Sequence, residues 1–329
     1  MTWMITGGAG YVGAHVVRTM LDAGESVVVL DDISSGVPSR LPEGVPVVRG
    51  SYLDREALRR AFDRHGVTGV VHCAAKKQVG ESVEQPIWYY ETNLHGLAVL
   101  LDEVVGAGIG RFLFSSSAAV YGTPPGDDVI TEDTPCAPMS PYGETKLAGE
   151  WLVRAAGRAH GLATVCLRYF NIAGAERPEL ADTGVFNVIP LFFDALTRGD
   201  APKIFGDDYP TPDGTCIRDY IHVEDLAEAH LAAARRLAQP GASGDLTVNL
   251  GSGTGVSVRA MADMIAEVTG HREPAVVVAR REGDPARSVA SYALAQKELG
   301  WTPRRDLRDM VTSAWEGWVL RHPEARAAG

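Results

Sequence analysis

The chain has 329 residues, 45% of them hydrophobic and 22% charged, the make-up of a folded protein with one large domain or two unequal ones. A formal net charge of −11 argues against a nucleic-acid backbone or an anionic membrane as main partner, while local arginines can still hold a phosphorylated small molecule. The four cysteines, Cys73, Cys136, Cys166 and Cys216, are far apart, form no CxxC pair or metal-ligand cluster, and read as free thiols of a reducing cytoplasm, with no metal expected.

Met1 to Gly7 run directly into a strand and a glycine loop, so no secretory signal is expected, and no apolar run reaches the roughly 18 residues of a membrane span. Trp3–Thr6 reads as a strand, Tyr11–Asp22 as a helix and Ser26–Asp31 as a strand. Val45–Arg49 is predicted as a strand, Asp54–His65 as a helix capped by Asp54, and Gly69–His72 as a strand. A long helix follows from Pro86 to about Val105, where Ile87, Tyr90, Leu94, Leu97, Leu101 and Val104 recur at helical spacing. Arg111–Ser115 is the next strand, Ser140-Pro141 opens a helix to about His160, and Ala163–Phe170 returns to the sheet.

Near-continuous apolar strands alternating with helices predict an α/β fold, a doubly wound parallel sheet of Rossmann type. Beyond Asn171 the pattern changes: proline, glycine and aspartate crowd Thr183–Asp219, then a helix at Val223–Leu237 and a strand at Leu246–Leu250 rejoin the sheet, and two helices are expected after Ser257. The expected division is a dinucleotide domain of residues 1–170 with about 219–250, and a smaller α/β substrate domain of 171–218 and 251–329.

Gly7, Gly10 and Gly13 stand between the first strand and the first helix. Such glycines allow a tight turn, close approach of backbone to a pyrophosphate, and close helix–strand packing, with helix N-terminal amides facing the negative charge. Asp31 ends the second strand, where a carboxylate accepts from adenosine ribose hydroxyls and repels a 2′-phosphate; Asp32 adds to that charge. NAD rather than NADP is the expected cofactor.

Tyr142 and Lys146 are four residues apart near the start of a helix and share one face. An ammonium beside a phenol is expected to lower its pKa and make it a proton acceptor. Ser117 lies just past the strand Arg111–Ser115, at the carboxyl edge where parallel sheets bind ligands.

At these residues the chain resembles the extended short-chain dehydrogenase/reductase superfamily, and within it UDP-galactose (UDP-glucose) 4-epimerases. The resemblance covers nearly the whole length. It is carried by TGGAGYVG (6–13), VGESVEQPIWYYETN (79–93), FSSSAAVYG (114–122), SPYGETK (140–146), LRYFNIAGA (167–175), DGTCIRDYIHVEDLA (213–227) and RREGD (280–284). It implies a bound NAD that is not consumed, Tyr142 as the base at the sugar 4-hydroxyl, Lys146 tuning it, Ser117 assisting, and a 4-keto sugar that turns over in the site.

For the cofactor the resemblance further implies Tyr11, Val12, Ser35, Gly36, Ser51 and Tyr52, then Cys73, Ala74, Ala75, Lys77, Asn93, Ser115 and Phe170. For a UDP-hexose it implies Lys77, Tyr169, Asn171, Asn187, Val188 and Ile204, together with Phe205, Arg218, Arg281, Asp284 and Ser288. Two arginines suit a diphosphate, and Asp284 a ribose hydroxyl. Ser51 stands where the family often has an aspartate, so weaker adenine discrimination is expected. Ser288 stands where narrow-specificity members carry tyrosine; the smaller residue leaves volume for an N-acetyl group. A homodimer through a four-helix bundle is also implied, formed by the helices after Pro86 and Ser140.

Rival readings are a 4,6-dehydratase, which needs an acid–base pair where this chain has Ala118-Ala119; a net dehydrogenase with the same residues; and a non-catalytic NAD sensor, which would not need Tyr142 and Lys146.

Overall fold

The computed structural model describes the chain except for residues 125, 127, 128, 240, 242, 243, 272, 282 and 329. Glu282, inside the RREGD stretch, therefore lies outside the described residues. The first half supplies β1 (Thr2–Thr6), β2 (Ser26–Asp31), β3 (Val47–Arg49), β4 (Gly69–His72), β5 (Arg111–Ser117) and β6 (Ala163–Tyr169). After these come β7 (Asn171–Ala173), β8 (Lys203–Phe205), β9 (Ile217–His222), β10 (Asp245–Leu250), β11 (Gly255–Ser257), β12 (Val276–Val278) and β13 (Arg287–Ser288).

Seven strands form the main sheet in the order β10-β6-β5-β4-β1-β2-β3, and every pairing is parallel. The order reverses at β1, where β2 and β4 diverge to either side and leave a crevice at the carboxyl ends, as in the expected Rossmann arrangement. Side-chain alternation assigns each strand's faces. Trp3, Ile5, Val29 and Val71 pack against helices Tyr11–Asp22 and Val223–Ala238 through Val16, Met20, Leu226 and Ala233. Met4, Val28, Leu30, Val70 and Phe112 face the other way, onto Leu58, Phe62, Leu97, Leu100 and Val153 of helices Arg55–His65, Gly96–Gly106 and Pro141–His160. Burial on both faces explains why these strands read as unbroken apolar runs.

The predicted Asp54 cap forms, and Ser140 caps the helix it opens. Asp54 Oδ1 accepts from Ala57 N at 3.0 Å, and Ser140 Oγ accepts from Gly143 N at 3.3 Å. The predicted helix Pro86–Val105 forms without a gap but is not α-helical throughout. A separate short helix spans Val79–Glu84, then Pro86–Tyr89 is α-helical, Tyr90–His95 is a wide π turn, and the α-helix resumes over Gly96–Gly106. Apolar residues recur at helical spacing on both sides of the π turn, so periodicity does not reveal it, although Ile87 and Tyr90 are exposed where Leu97, Leu101 and Val104 are buried.

In the second half β11, β9 and β13 pair side by side with β7 also on β9, and β12 pairs with β8. Helices Val188–Thr197, Val258–Thr269 and Leu307–Arg321 close a third core around Phe192, Phe193, Met261, Ile265 and Trp318. The tail after Ser257 contains Ala293–Leu299 as well, one helix more than expected; its 7 residues are too few to show a period. Strand β9 runs across the expected division at 218/219. Among the described residues no helix is long and apolar enough to cross a membrane.

Candidate active site

The glycine turn after β1 is tight because backbone packs on backbone. Gly7 has φ +70°, and a Cβ there would sit 2.8 Å from the Ala74 main chain; at Gly13 a Cβ would lie 2.1 Å from the Gly7 carbonyl oxygen. Gly10 N donates to Gly7 O at 3.0 Å. The helix at Tyr11 opens with no side-chain cap and no acidic residue in its first turn, so its leading amides are available to an anion.

Asp31 stands beside this turn. Its Oδ2 accepts from Ala9 N at 2.9 Å and its Oδ1 from Ile33 N at 2.8 Å. Burial raises its pKa, and the two amide bonds pull the other way. Gly36 is required close by, since a Cβ would meet Asp31 Oδ1 at 2.8 Å. Asp32 and Ser35 are exposed on the same loop, with Asp32 Oδ1 accepting from Ser34 N at 2.8 Å. Ser51 follows β3, and buried Tyr52 donates its hydroxyl to Thr92 O at 3.0 Å. An uncapped helix start, a side-chain-free turn and a carboxylate at the end of β2 fit a dinucleotide.

Ser117 ends β5 and caps the next turn, accepting from Ala119 N at 3.2 Å. Tyr142 and Lys146 point at this edge, 9% and 4% exposed. The ammonium and the phenol share this pocket without a direct hydrogen bond between them. Lys146 Nζ donates to Ser115 O at 2.7 Å and stands 5.9 Å from the Tyr142 ring centre. Burial raises the Tyr142 pKa, with only the Ser117 hydroxyl pulling it down, and burial takes the Lys146 ammonium down to about 8. The physical reason is that both groups lie in the same desolvated pocket and the ammonium is engaged by a main-chain carbonyl.

Asn93 sits in the π turn and faces inward, its amide used by the main chain: Oδ1 accepts from Lys76 N at 2.8 Å and Nδ2 donates to Lys76 O at 2.9 Å. That fixes the segment Cys73–Lys77 at the crevice. Ala74 abuts Gly7, Ala75 continues the turn, and Cys73 accepts from Ser115 Oγ at 3.4 Å. Lys77 reaches Asp182 at 3.8 Å. Phe170 is buried beside Tyr121, ring centres 6.5 Å apart.

A cavity of about 740 Å³ gathers Asn171, Asn187, Val188, Phe205, Arg218, Arg281 and Asp284, and Tyr11 borders it too. Arg218 Nη2 is 3.2 Å from Asp284 Oδ1, and the Arg281 guanidinium lies 3.9 Å over the Phe205 ring. Asn171 Nδ2 donates to Asp219 O at 3.0 Å. The remaining expected substrate residues do not border this cavity. Ser117, Tyr142 and Tyr169 stand on the main sheet's edge, Lys77 is linked through Asp182, Ile204 is buried on β8 behind Phe205, and Ser288 pairs with Arg218 in the β13–β9 register.

Some site residues were not legible in advance. Asp182, Cys216 and Tyr220 border the cavity, but none stood out by spacing. Fully buried Asp219 accepts from Ser252 N at 2.7 Å and from Gly253 N and Ala290 N at 3.0 Å, tying the Arg218 strand to the loops beside it. Its place inside DGTCIRDYIHVEDLA was the only signal. The Tyr11 hydroxyl donates to Gly174 O at 2.5 Å, joining the glycine-turn helix to the cavity wall.

Residues 3–251 match the model of the NAD dependent epimerase/dehydratase family. The UDP-glucose 4-epimerase of Streptomyces lividans is 45% identical over 325 residues, covering 98% of this chain and 97% of that protein. The chain belongs to the NAD-dependent epimerase/dehydratase family. It is an enzyme whose cofactor is NAD. The enzyme is also similar to the UDP-glucose 4-epimerase of Halalkalibacterium halodurans, at 44% identity over 328 residues, 98% of this chain and 97% of the other. A solved UDP-glucose 4-epimerase from Bifidobacterium longum, in complex with NAD+ and UDP, aligns with TM-score 0.89 at 35% identity, covering 99% of this chain and 100% of that one.

Proposed function

We propose that this enzyme is a UDP-glucose 4-epimerase that interconverts UDP-galactose and UDP-glucose through a 4-keto sugar. The observation that carries it is the meeting of Tyr142, Ser117 and Lys146 at the edge of β5, in a chain that also forms a cavity bearing Arg218 and Arg281. Relatives of this name align over nearly the full chain.

Residues 1–170 with about 219–250 hold the dinucleotide, and 171–218 with 251–329 hold the UDP-sugar. NAD, when bound, supplies the centre that takes a hydride from the sugar C4 and returns it. The Tyr142 phenol takes the proton from the 4-hydroxyl and gives it back. Ser117 shares the hydrogen bond to that oxygen, and the buried Lys146 ammonium favours the phenolate as it forms. Arg218 and Arg281 hold the diphosphate, Asp284 a ribose hydroxyl, and Asn171 and Asn187 further polar edges of the nucleotide sugar. Ser288, small and next to Arg218 in the register, leaves space for an N-acetyl group, so N-acetylated UDP-hexoses belong to the substrate range. The four free thiols suit a cytoplasmic setting.

Purified protein given UDP-galactose and no added NAD is expected to yield UDP-glucose without net NADH, and to do likewise with UDP-N-acetylgalactosamine. Unchanged UDP-galactose would overturn the reading, steady NADH release would point to a dehydrogenase, and failure with the acetylated sugar alone would remove the Ser288 argument.

The enzyme is a homodimer through the helices after Pro86 and Ser140. Ile87 and Trp151 are 74% and 58% exposed, and Tyr90, Leu94, Ala98, Ala148 and Leu152 border one shallow groove there. Such an apolar face suits an isologous four-helix contact. Sedimentation equilibrium is expected to give twice 35.1 kDa; a monomer mass at micromolar concentration rules it out.

A further inference from the structure

The helix Pro141–His160 meets β5 along a row of three serines. The Ser117 hydroxyl acts on Tyr142, the Ser115 carbonyl accepts from Lys146 Nζ at 2.7 Å, and Ser116 Oγ donates to Glu150 Oε1 at 2.5 Å. Tyr142, Lys146 and Glu150 follow at four-residue steps and share one face. Glu150 is a buried carboxylate held at two points by Arg168 of β6, Nε to Oε1 at 2.8 Å and Nη2 to Oε2 at 2.6 Å. Arg168 Nη1 also donates to the Tyr121 hydroxyl at 2.9 Å, which donates to Asn249 Oδ1 of β10 at 2.7 Å. The chain of bonds thus crosses β5, β6 and β10 and ends one helical turn from Lys146.

A buried ion pair is a weak source of stability, because desolvation of both charges offsets their attraction. Its placement against Lys146 gives it a different use. We propose that Glu150 is a positioning residue for the reaction, seating the catalytic helix on β5 and, with Arg168, balancing the charge around the Lys146 ammonium. This rests on Tyr142 and Lys146 acting as proposed above. Burial lowers the lysine's pKa, while Cys73 and then Glu150 favour the protonated form; Arg168, bonded to Glu150, offsets that anion. Arg154, 4.0 Å from Glu150 and partly exposed, is a weaker second cation.

The other titratable groups around this pocket are Tyr142 on the same helix, His72 and Cys73 at the end of β4, Tyr121, Cys136, and Cys166 and Tyr169 of β6, with His230 against Ser115. Burial lowers His230 to about 4 and raises Tyr121, Cys136 and Cys166. Burial takes His72 down to about 3, Cys73 up to about 11, and Tyr169 well above its ordinary value. Near pH 8 Lys146 is therefore the group that changes charge. Activity that needs the ammonium falls as pH rises through the lysine's pKa. Removing the Glu150 anion moves that fall to lower pH, and removing the Arg168 cation moves it to higher pH.

The test is the pH dependence of kcat/KM of the NAD-loaded enzyme for wild type, Glu150→Gln, Arg168→Met and the double variant. The alkaline limb is expected to move down by about half a pH unit or more in Glu150→Gln, up in Arg168→Met, and to return towards wild type in the double. Glu150→Asp, which keeps the charge, holds the limb near wild type even where kcat drops. A wild-type limb in folded Glu150→Gln overturns the proposal. If Glu150→Gln does not fold, Arg168→Met and Glu150→Asp decide: a limb that stays or moves down in the first, or shifts with the second, overturns it. Inactive wild type would instead remove the functional reading beneath it.

Discussion

Tyr142→Phe is expected to lower kcat for UDP-galactose epimerisation by about 10²–10⁴ while leaving the fold and the NAD content intact. The magnitude is that of removing a positioned proton-transfer group. The fold should survive because the ring is kept and the phenol has no role in the hydrogen-bond chain that anchors the helix; that chain runs through Glu150 and Arg168. The loss should fall on kcat more than on KM, since the proton moves in the transition state and the nucleotide is held elsewhere, by the cavity with Arg218 and Arg281. Measured kcat and KM, the NAD absorbance of the purified variant and its unfolding midpoint together check this. A kcat within tenfold of wild type would mean another group accepts the proton.

Much of this architecture could be read from residue order. The first-half strands other than edge strand β3 are buried on both faces, so their apolar runs were complete, and Asp54, Ser140 and Pro141 marked helix starts that the structure keeps. Local signals failed where geometry is set from outside the segment. The π turn at Tyr90–His95 forms where Asn93 clamps Lys76 and a Cβ at Gly96 would strike the Tyr52 ring at 2.4 Å; neither contact is visible in spacing. Strands β7, β8, β11, β12 and β13 have 2 or 3 residues each, too few for alternation to register.

The site divides in the same way. Tyr142, Lys146 and the glycine turn announced themselves by position on a strand–helix frame. Asp182 and Asp219 did not, because a carboxylate in a polar loop looks solvated until the chain returns to bury it. The electrostatics of Tyr142 were the least legible. Four-residue spacing places the lysine near the phenol, but says nothing about the Ser115 carbonyl that takes the ammonium's hydrogen bond.

The second large effect belongs to Gly13→Ala, expected to weaken NAD binding by more than about a hundredfold and to destabilise the fold by about 1–3 kcal/mol or more. The added carbon would lie 2.1 Å from the Gly7 carbonyl oxygen, and 2.8 Å from both Gly7 C and Gly8 Cα. All three are backbone atoms, so no side-chain rotation relieves the clash; the turn itself must shift away from the helix. Gly7 cannot retreat freely, because the Ala74 main chain already lies 2.8 Å from where its own Cβ would be. Movement there displaces the first-turn amides at Tyr11 and Val12 that face the pyrophosphate in such turns. The same chemical change at Gly106 provides the contrast: nothing lies within 4 Å of the added carbon, so Gly106→Ala should bind NAD as wild type does and be equal or up to about 1 kcal/mol more stable. NAD titration with urea unfolding of both variants separates them. A Gly13→Ala protein that carries NAD and unfolds at the wild-type midpoint would show that the turn has slack, and would undercut the close-packed cradle on which the cofactor assignment rests.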